Sequence, residues 1–337
     1  MLPSHLDIDL STKCNLRCRF CHLSFYKPKS WTQLSLDQFI KLDPILKNLK
    51  SISLFSKFEV LTCRDFLKIF EVIKKYNIKE TYFSTNGILL NDEIIDSITA
   101  SLTYLTVSVT GFNNEDYKKN MSLDRLDIVK KNLEKLKQVK IKKNTIFPKL
   151  RISMVGMQDT LHYFNDAIDF AKKYDANEGV QVTYFNSHAD FMNELTPQKD
   201  MDRYLQAGEK AMKYAKSKNI KFELQAGDPF EIDEKIPENL THKYCSLPWY
   251  RMSIQPNGDV YPCPTAYHPV GNFFEEDFLS IWNGEKLKKF RLGVNNPKKM
   301  NEDCINCSYC KIKSPTIEEG NILSERTELW ANLKRFK

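Results

Sequence analysis

Apolar residues recur along the first two-thirds of the chain in two alternating periods. Leu6, Ile8 and Leu10 alternate with polar neighbours, so HLDIDLS reads as a strand. Ser35 and Gln38 have capping-box spacing, which opens a helix expected to run to about Leu49. SISLF (51–55) is the second expected strand, and Phe66 to Tyr76 the next helix. ETYFSTNG (80–87) is a third strand ending in a polar turn, with a helix after it. YLTVSVTG (104–111) and the helical stretch Leu123 to Gln138 follow. KLRISMVGM (149–157) precedes a helix over His162 to Tyr174, and GVQVTYF (179–185) precedes one over about Met201 to Ser217.

Six βα units in series imply a parallel sheet with right-handed crossovers. Six is short of the eight that close a full barrel. The expected fold class is therefore α/β, a partial (β/α)6 TIM-like barrel with a small C-terminal Cys-rich α+β extension. In such a fold the loops at the strand C-termini carry the chemistry. The pattern changes after KFELQ (221–225), where AGDPFEIDEKIPENLTHK is polar and carries two prolines. The expected domains are a barrel over 1–225, a linker over 226–243 and a second domain over 244–337. Within the last, MSIQPNGDVYP reads as a hairpin turning at Asn257-Gly258, and Ser324 to Phe336 as an amphipathic helix.

Composition narrows the class. The chain has 337 residues, of which 42% are hydrophobic, enough for a sizeable core. No apolar run approaches the ~20 residues needed to cross a bilayer. The N-terminus lacks the charged start and apolar centre of a signal peptide. A soluble cytoplasmic protein is expected. The net charge of +7 comes with lysine pairs scattered along the chain, as on solvated helix faces. Neither nucleic acid nor membrane is an expected partner. Nine cysteines change the picture more: three lie at 14–21, one at 63 and five at 245–310. An odd, clustered set in a reducing compartment points to metal rather than to disulfides. Asn239 opens a formal glycosylation triplet that has no meaning in that compartment.

CNLRCRFC places Cys14, Cys18 and Cys21 directly after the first strand. Zinc would need a fourth protein ligand, and His22, adjacent to Cys21, has poor geometry for closing the same site. Soft thiolates also suit iron–sulfur clusters. The Cys14-x-x-x-Cys18-x-x-Cys21 spacing, with Phe20 before the last cysteine, resembles the radical S-adenosylmethionine (radical SAM) enzymes. The resemblance extends further. FSKFEVLTCRDF (55–66) is similar to that family's SGGEPLLHPDF segment, with Ser56, Glu59, Leu61, Asp65 and Phe66 matching. STNG (84–87) resembles its TNG turn, VSVTG (107–111) its S-x-D-G strand, and Arg151 a strand-five position whose guanidinium holds a carboxylate.

The resemblance implies a 4Fe–4S cluster on Cys14, Cys18 and Cys21 whose fourth iron stays open for S-adenosylmethionine (SAM). It implies cofactor-binding roles for Phe20, Ser56, Glu59, Asn86, Ser108 and Arg151. The segment at Glu59 would take the amino group, Ser108 the ribose or carboxylate, and Arg151 the carboxylate. Structural roles stand beside these: Asn86 as a turn residue, Ser108 as a packed strand serine, Arg151 in an ion pair. The chain departs from the family at Lys57 and Phe58, which replace two glycines, and at Val60, which replaces proline. Glycine lets backbone approach a ligand closely. Glu59 with backbone carbonyls would then hold the amino group alone, unless the site is weakened.

CSLPWYRMSIQPNGDVYPC (245–263) and Cys304-x-x-Cys307-x-x-Cys310 resemble the SPASM/twitch extension of the same enzymes. This implies one auxiliary 4Fe–4S cluster on Cys245, Cys263, Cys304 and Cys307. Cys310 is left as a spare thiol, as a replacement for Cys307, or as a tentative hydrogen-atom donor. A zinc ribbon would also suit the spacing. Cys63 reads as a buried thiol.

The function implied is reductive cleavage of SAM to a 5′-deoxyadenosyl radical. Hydrogen would then be abstracted from an unactivated C–H of a peptide or protein, ending in oxidation, a cross-link or epimerisation. The same chemistry on a sugar or aminoglycoside-like molecule, as a dehydrogenase or epimerase, is the alternative. A non-catalytic electron-transfer or scaffold protein with a lapsed SAM site is a third. The electron donor would be a flavodoxin or ferredoxin. A leader-binding domain is not expected, because the first strand begins by about residue 5.

Overall fold

The computed structural model describes residues 2–25, 30–54, 58–185, 187, 189–225, 245–296 and 299–305. The expected linker at 226–243, the helix at 324–336, and Ser56, Lys57, Asn239, Cys307 and Cys310 lie outside these residues. The six expected strands form: β1 (His5–Ile8), β2 (Ser51–Ser53), β3 (Glu80–Thr85), β4 (Tyr104–Ser108), β5 (Lys149–Gly156) and β6 (Val180–Tyr184). KFELQ adds a seventh, β7 (Phe222–Leu224), parallel to β6.

The capping box at Ser35 forms as expected: Ser35 Oγ accepts the Gln38 N–H, and Gln38 Oε1 accepts the Ser35 N–H. The helix it opens is interrupted, however. α1 (Leu36–Phe39) passes through a 3-10 turn into α2 (Asp43–Leu46). Pro44 accounts for the break, because it lacks an N–H and its ring clashes with the preceding turn. The remaining crossovers are α3 (Phe66–Lys75), α4 (Asp92–Ile98), α5 (Asn114–Met121), α6 (Leu126–Lys142), α7 (Phe164–Lys173) and α8 (Met201–Lys218). Of these, α5 was hidden by its polar sequence, NEDYKKNM, whose apolar face is only Tyr117 and Met121, both buried.

The described residues fall into two compact units. One comprises 2–13, 32–81 and 245–305, the other 14–31 and 82–225. In the first, β1 pairs parallel with β2 on one side and with β8 (Arg251–Ile254) on the other. β8 runs antiparallel to β9 (Asp259–Tyr261), and β9 to β10 (Gly271–Asn272). The expected hairpin turns at Gly258, whose φ of +90° is open to glycine and strained for other residues. Short helices α9 (Leu247–Tyr250), α10 (Phe278–Asn283), α11 (Glu285–Gly293) and α12 (Glu302–Ile305) complete this unit.

In the second unit β3 to β7 follow chain order, all parallel. Burial alternates along β4, β5 and β6. Leu105, Val107, Leu150, Ile152, Val180 and Val182 make the buried face. The half-buried face carries polar side chains. No described helix is long and apolar enough to cross a membrane.

Candidate functional site

The loop after β1 carries Cys14, Cys18 and Cys21, all partly exposed and none in a disulfide. Its backbone is held from several directions. The Arg17 N–H donates to Ser122 Oγ at 2.8 Å, and the Arg17 guanidinium donates to the carbonyls of Cys14 and Leu16. The Arg19 N–H donates to Asn120 C=O, and its guanidinium to Asn120 Oδ1 and Asp159 Oδ1, the last at 2.6 Å. Lys119 adds a second cation to Asp159. Burial pushes the Asp159 carboxyl up, but Arg19 and Lys119 outweigh it and hold the group below the usual carboxylate range. Ser122, at the end of α5, takes a left-handed φ of +76°, which turns its hydroxyl toward the loop. The helix hidden in the sequence therefore anchors the cysteines.

The thiols have distinct surroundings. Leu16 N–H donates to Cys14 Sγ at 3.4 Å. Cys18 Sγ lies 3.8 Å from Met121 Sδ, and Cys21 Sγ 3.7 Å from His22 Nδ1. Burial pushes the Cys21 thiol up, against a backbone hydrogen bond and the charge of Arg17. Phe20 packs on a cluster of Met157, Phe185 and Met192 at the C-terminal ends of β5 and β6. Asn86 combines two roles: its Oδ1 accepts the Ile88 N–H, and its Nδ2 donates to Asn15 Oδ1 in the cysteine loop at 2.7 Å. It is both a turn residue and a tie to the loop.

Ser108 and Arg151 point to the polar face of the second unit. The register sets Ser108 opposite Ser153, Ser153 opposite Gln181, and Gln181 opposite Glu223. Arg151 Nη2 is 4.0 Å from Glu223 Oε2, near enough for charge attraction but beyond hydrogen-bonding distance. Burial pushes the Glu223 carboxyl up, against the pull of Arg151. In the first unit Glu59 is buried and caps its own turn, its Oε1 accepting the Leu61 N–H at 3.2 Å. Its N–H donates to the carbonyl of Lys13, the residue before Cys14. Phe58 is half-buried. Cys63 is buried, its thiol pushed up to about 11, mainly by burial, and donating to Leu34 C=O.

Cys245, Cys263 and Cys304 are all buried in the first unit, and none is in a disulfide. The Asn295 side-chain amide grips both backbone groups of Cys245, at 2.7 and 2.9 Å. Asn301 Nδ2 lies 3.9 Å from Cys304 Sγ, and Thr265 Oγ1 3.5 Å from Cys263 Sγ. Among the described residues no three His, Cys, Asp or Glu side chains gather as a site for one metal ion. Both sets are nonetheless chemically suited to iron–sulfur clusters, being soft thiolates with hydrogen-bond donors beside the sulfurs.

Two family models match this chain: the radical SAM superfamily over residues 8–171, and SPASM, an iron-sulfur cluster-binding domain, over 245–308. The chain belongs to the radical SAM superfamily. Its cofactors are a SAM-binding 4Fe–4S cluster, an auxiliary 4Fe–4S cluster and SAM. "Probable GTP 3′,8-cyclase" of Methanococcus maripaludis (strain C5) is 28% identical over 171 residues, which are 50% of this chain and 55% of that one. The chain thus spans about half the length of the curated relatives it matches. Streptococcus suis SuiB, solved with S-adenosylmethionine, has a TM-score of 0.68 at 19% identity, over 94% of this chain and 73% of that one. SuiB solved with its precursor peptide SuiA gives 0.64, over 94% and 72%. Native anSMEcpe with bound AdoMet gives 0.62 at 18% identity, over 92% and 87%. These likenesses establish the fold class, a partial (β/α)6 barrel with a C-terminal extension, for the radical SAM chain.

Pattern reading passed over Glu223, Gln181 and the Arg19–Asp159 tether. The first had a signal: Phe222 and Leu224 flank Glu223 as a strand alternation would. Asp159 had none, because its partner is 140 residues away.

Proposed function

We propose that this chain reductively cleaves SAM and abstracts hydrogen from an unactivated C–H of a peptide or protein substrate. When bound, the cluster and SAM supply a 5′-deoxyadenosyl radical. Cys14, Cys18 and Cys21 hold that cluster on a loop fixed by Arg17 and Arg19. Glu59, whose Oε1 accepts the Leu61 N–H, would accept from the cofactor's amino group. Ser108 and Arg151 offer a hydroxyl and a guanidinium on the polar strand face for its carboxylate. Phe20, seated on an apolar cluster, offers a flat surface for the adenine, and Ser56 and Asn86 complete the set. Cys245, Cys263, Cys304 and Cys307 hold the auxiliary cluster, with Cys310 in place of Cys307 or as a hydrogen donor. A flavodoxin or ferredoxin supplies the electron. Residues 1–225 and 244–337 carry these two functions, joined by 226–243.

The observation that carries this reading is the pairing of the two cysteine-bearing family matches in one chain. The likeness to SuiB over 94% of the chain, and the SuiA peptide seen on SuiB, favour a peptide. The cyclase matches cover about half of this chain and say little about substrate. The polar strand face, with Ser108, Ser153, Gln181 and Glu223 in one row, favours a sugar or aminoglycoside-like molecule as the second reading. Anaerobic reconstitution with dithionite and SAM decides whether cleavage occurs. 5′-Deoxyadenosine should accumulate, and Cys18→Ala should abolish it. No 5′-deoxyadenosine above background with fully loaded protein would leave only the non-catalytic alternative.

A further inference from the structure

Glu223 is the one carboxylate among the described residues of β4 to β7. Its Oε2 is buried and has no hydrogen-bond partner among the described residues. The nearest cation, Arg151, is 4.0 Å away, beyond hydrogen-bonding distance. Lys221, two residues earlier, is engaged instead by Glu178 at 3.2 Å. A carboxylate taken out of water is costly unless a donor reaches it. The cost is raised here because Glu223 lies in line with Gln181, Ser153 and Ser108, whose neutral side chains bring no charge.

Glu223 is also not placed as a simple strut. A structural ion pair between β5 and β7 would bring Arg151 into bonding contact, since Arg151 lies two residues before Ser153 and so on the same face as the Ser153–Gln181–Glu223 row. The observed gap leaves one oxygen oriented and unmet. It lies at the same register level as Ser108, a candidate cofactor contact.

We propose that Glu223 is a substrate-recognition residue whose unmet carboxylate oxygen takes a protonated nitrogen of the substrate. A charged donor is favoured over a hydroxyl because charge-assisted hydrogen bonds are roughly twice as strong as neutral ones. The nitrogen could belong to a lysine side chain of a peptide or to an amino sugar. This assignment rests on the substrate-modifying function proposed above.

The test uses the reconstituted full chain with SAM present and saturation-transfer NMR titrations. Nα-acetyl-lysine methylamide and glucosamine are the two amine probes; Nα-acetyl-norleucine methylamide and glucose are their neutral counterparts. One amine should bind about ten-fold more tightly than its counterpart, the value of one charge-assisted bond. Preference for the lysine probe selects a peptide source, and preference for glucosamine an amino sugar. Glu223→Gln should bring the preference to within about two-fold, whereas Glu223→Asp should keep part of it. Equal binding of amine and neutral probes by the wild-type chain would mean that water satisfies the oxygen, and would overturn the proposal. So would a preference that survives Glu223→Gln. Absence of 5′-deoxyadenosine from the wild-type chain would instead sink the enzymatic function, and the probe titration would still report on Glu223.

Discussion

Asp7 and Arg251 show how much a single buried pair can carry. Arg251 donates to Asp7 through both Nε, at 2.5 Å, and Nη2, at 3.0 Å, with both side chains about 95% buried. His5, fully buried, lies between Asp7 and a hydrogen bond to Ser51. Removing one partner strands a charge in the interior. Arg251→Met should therefore cost about 3–5 kcal/mol, whereas the double change Asp7→Leu with Arg251→Met should recover most of it. Thermal melting of the two variants checks this; an unchanged midpoint in the single variant would refute it. Cys63 makes a quieter prediction. With its thiol pushed up to about 11, only ~0.1% is thiolate at pH 8. Iodoacetamide should leave Cys63 unmodified in the folded chain and label it after denaturation, as read by mass spectrometry. The cysteine spacing and Glu59 were legible because they lie in contiguous segments. Asp7–Arg251 was not, because nothing local in HLDIDLS says that Asp7 points inward.

The elements were legible where the apolar period was strong and obscure where local chemistry overrode it. All six expected strands formed, most plainly β4, β5 and β6, where alternation runs over five to eight residues. The helix after Ser35 broke at Pro44, a signal present in the sequence but outweighed by the capping box. α5 offered only the apolar pair Tyr117 and Met121, too short to read as a stripe, yet its end fixes the cysteine loop through Asn120 and Ser122. That tether gives an element-scale prediction. Asp159→Ala should loosen the loop and lower occupancy of the first cluster, measured by iron content and the visible absorbance of reconstituted protein. The sign with pH follows from a depressed carboxyl. Its contribution is complete above the unfolded value of about 3.9 and is lost as pH falls through the lower folded value. Loop anchoring should thus be constant between pH 6 and 8. The turn after β3 is equally specific. Gly87 has φ +80°, and a Cβ there would meet Val107 Cγ1 at 3.0 Å. Gly87→Ala should cost about 1–2 kcal/mol and shift Asn86 away from Asn15.

At the scale of the whole molecule, two clusters set the iron count. Reconstituted protein should hold about eight irons per chain, and a value near four would remove the auxiliary cluster. The first unit is discontinuous in sequence, with 245–305 packed beside 2–13 and 32–81. A chain cut after residue 225 would lose β8, expose the edge of β1, and leave Asp7 without Arg251. It should aggregate rather than fold, as judged by size-exclusion chromatography of the soluble fraction. A periodicity argument sees the strands of this unit but not their partners, because the pairing of β1 with β8 spans most of the chain. That span also has a price in time. Asp7 and Arg251 are 244 residues apart. At typical rates of synthesis, β1 leaves the ribosome roughly 12 to 50 s before the strand that completes it. Through that interval a carboxylate and an imidazole destined for the interior are held in water by a nascent chain. Its first strand stays open to chaperones, and to misplaced strands of its own polypeptide, until β8 emerges.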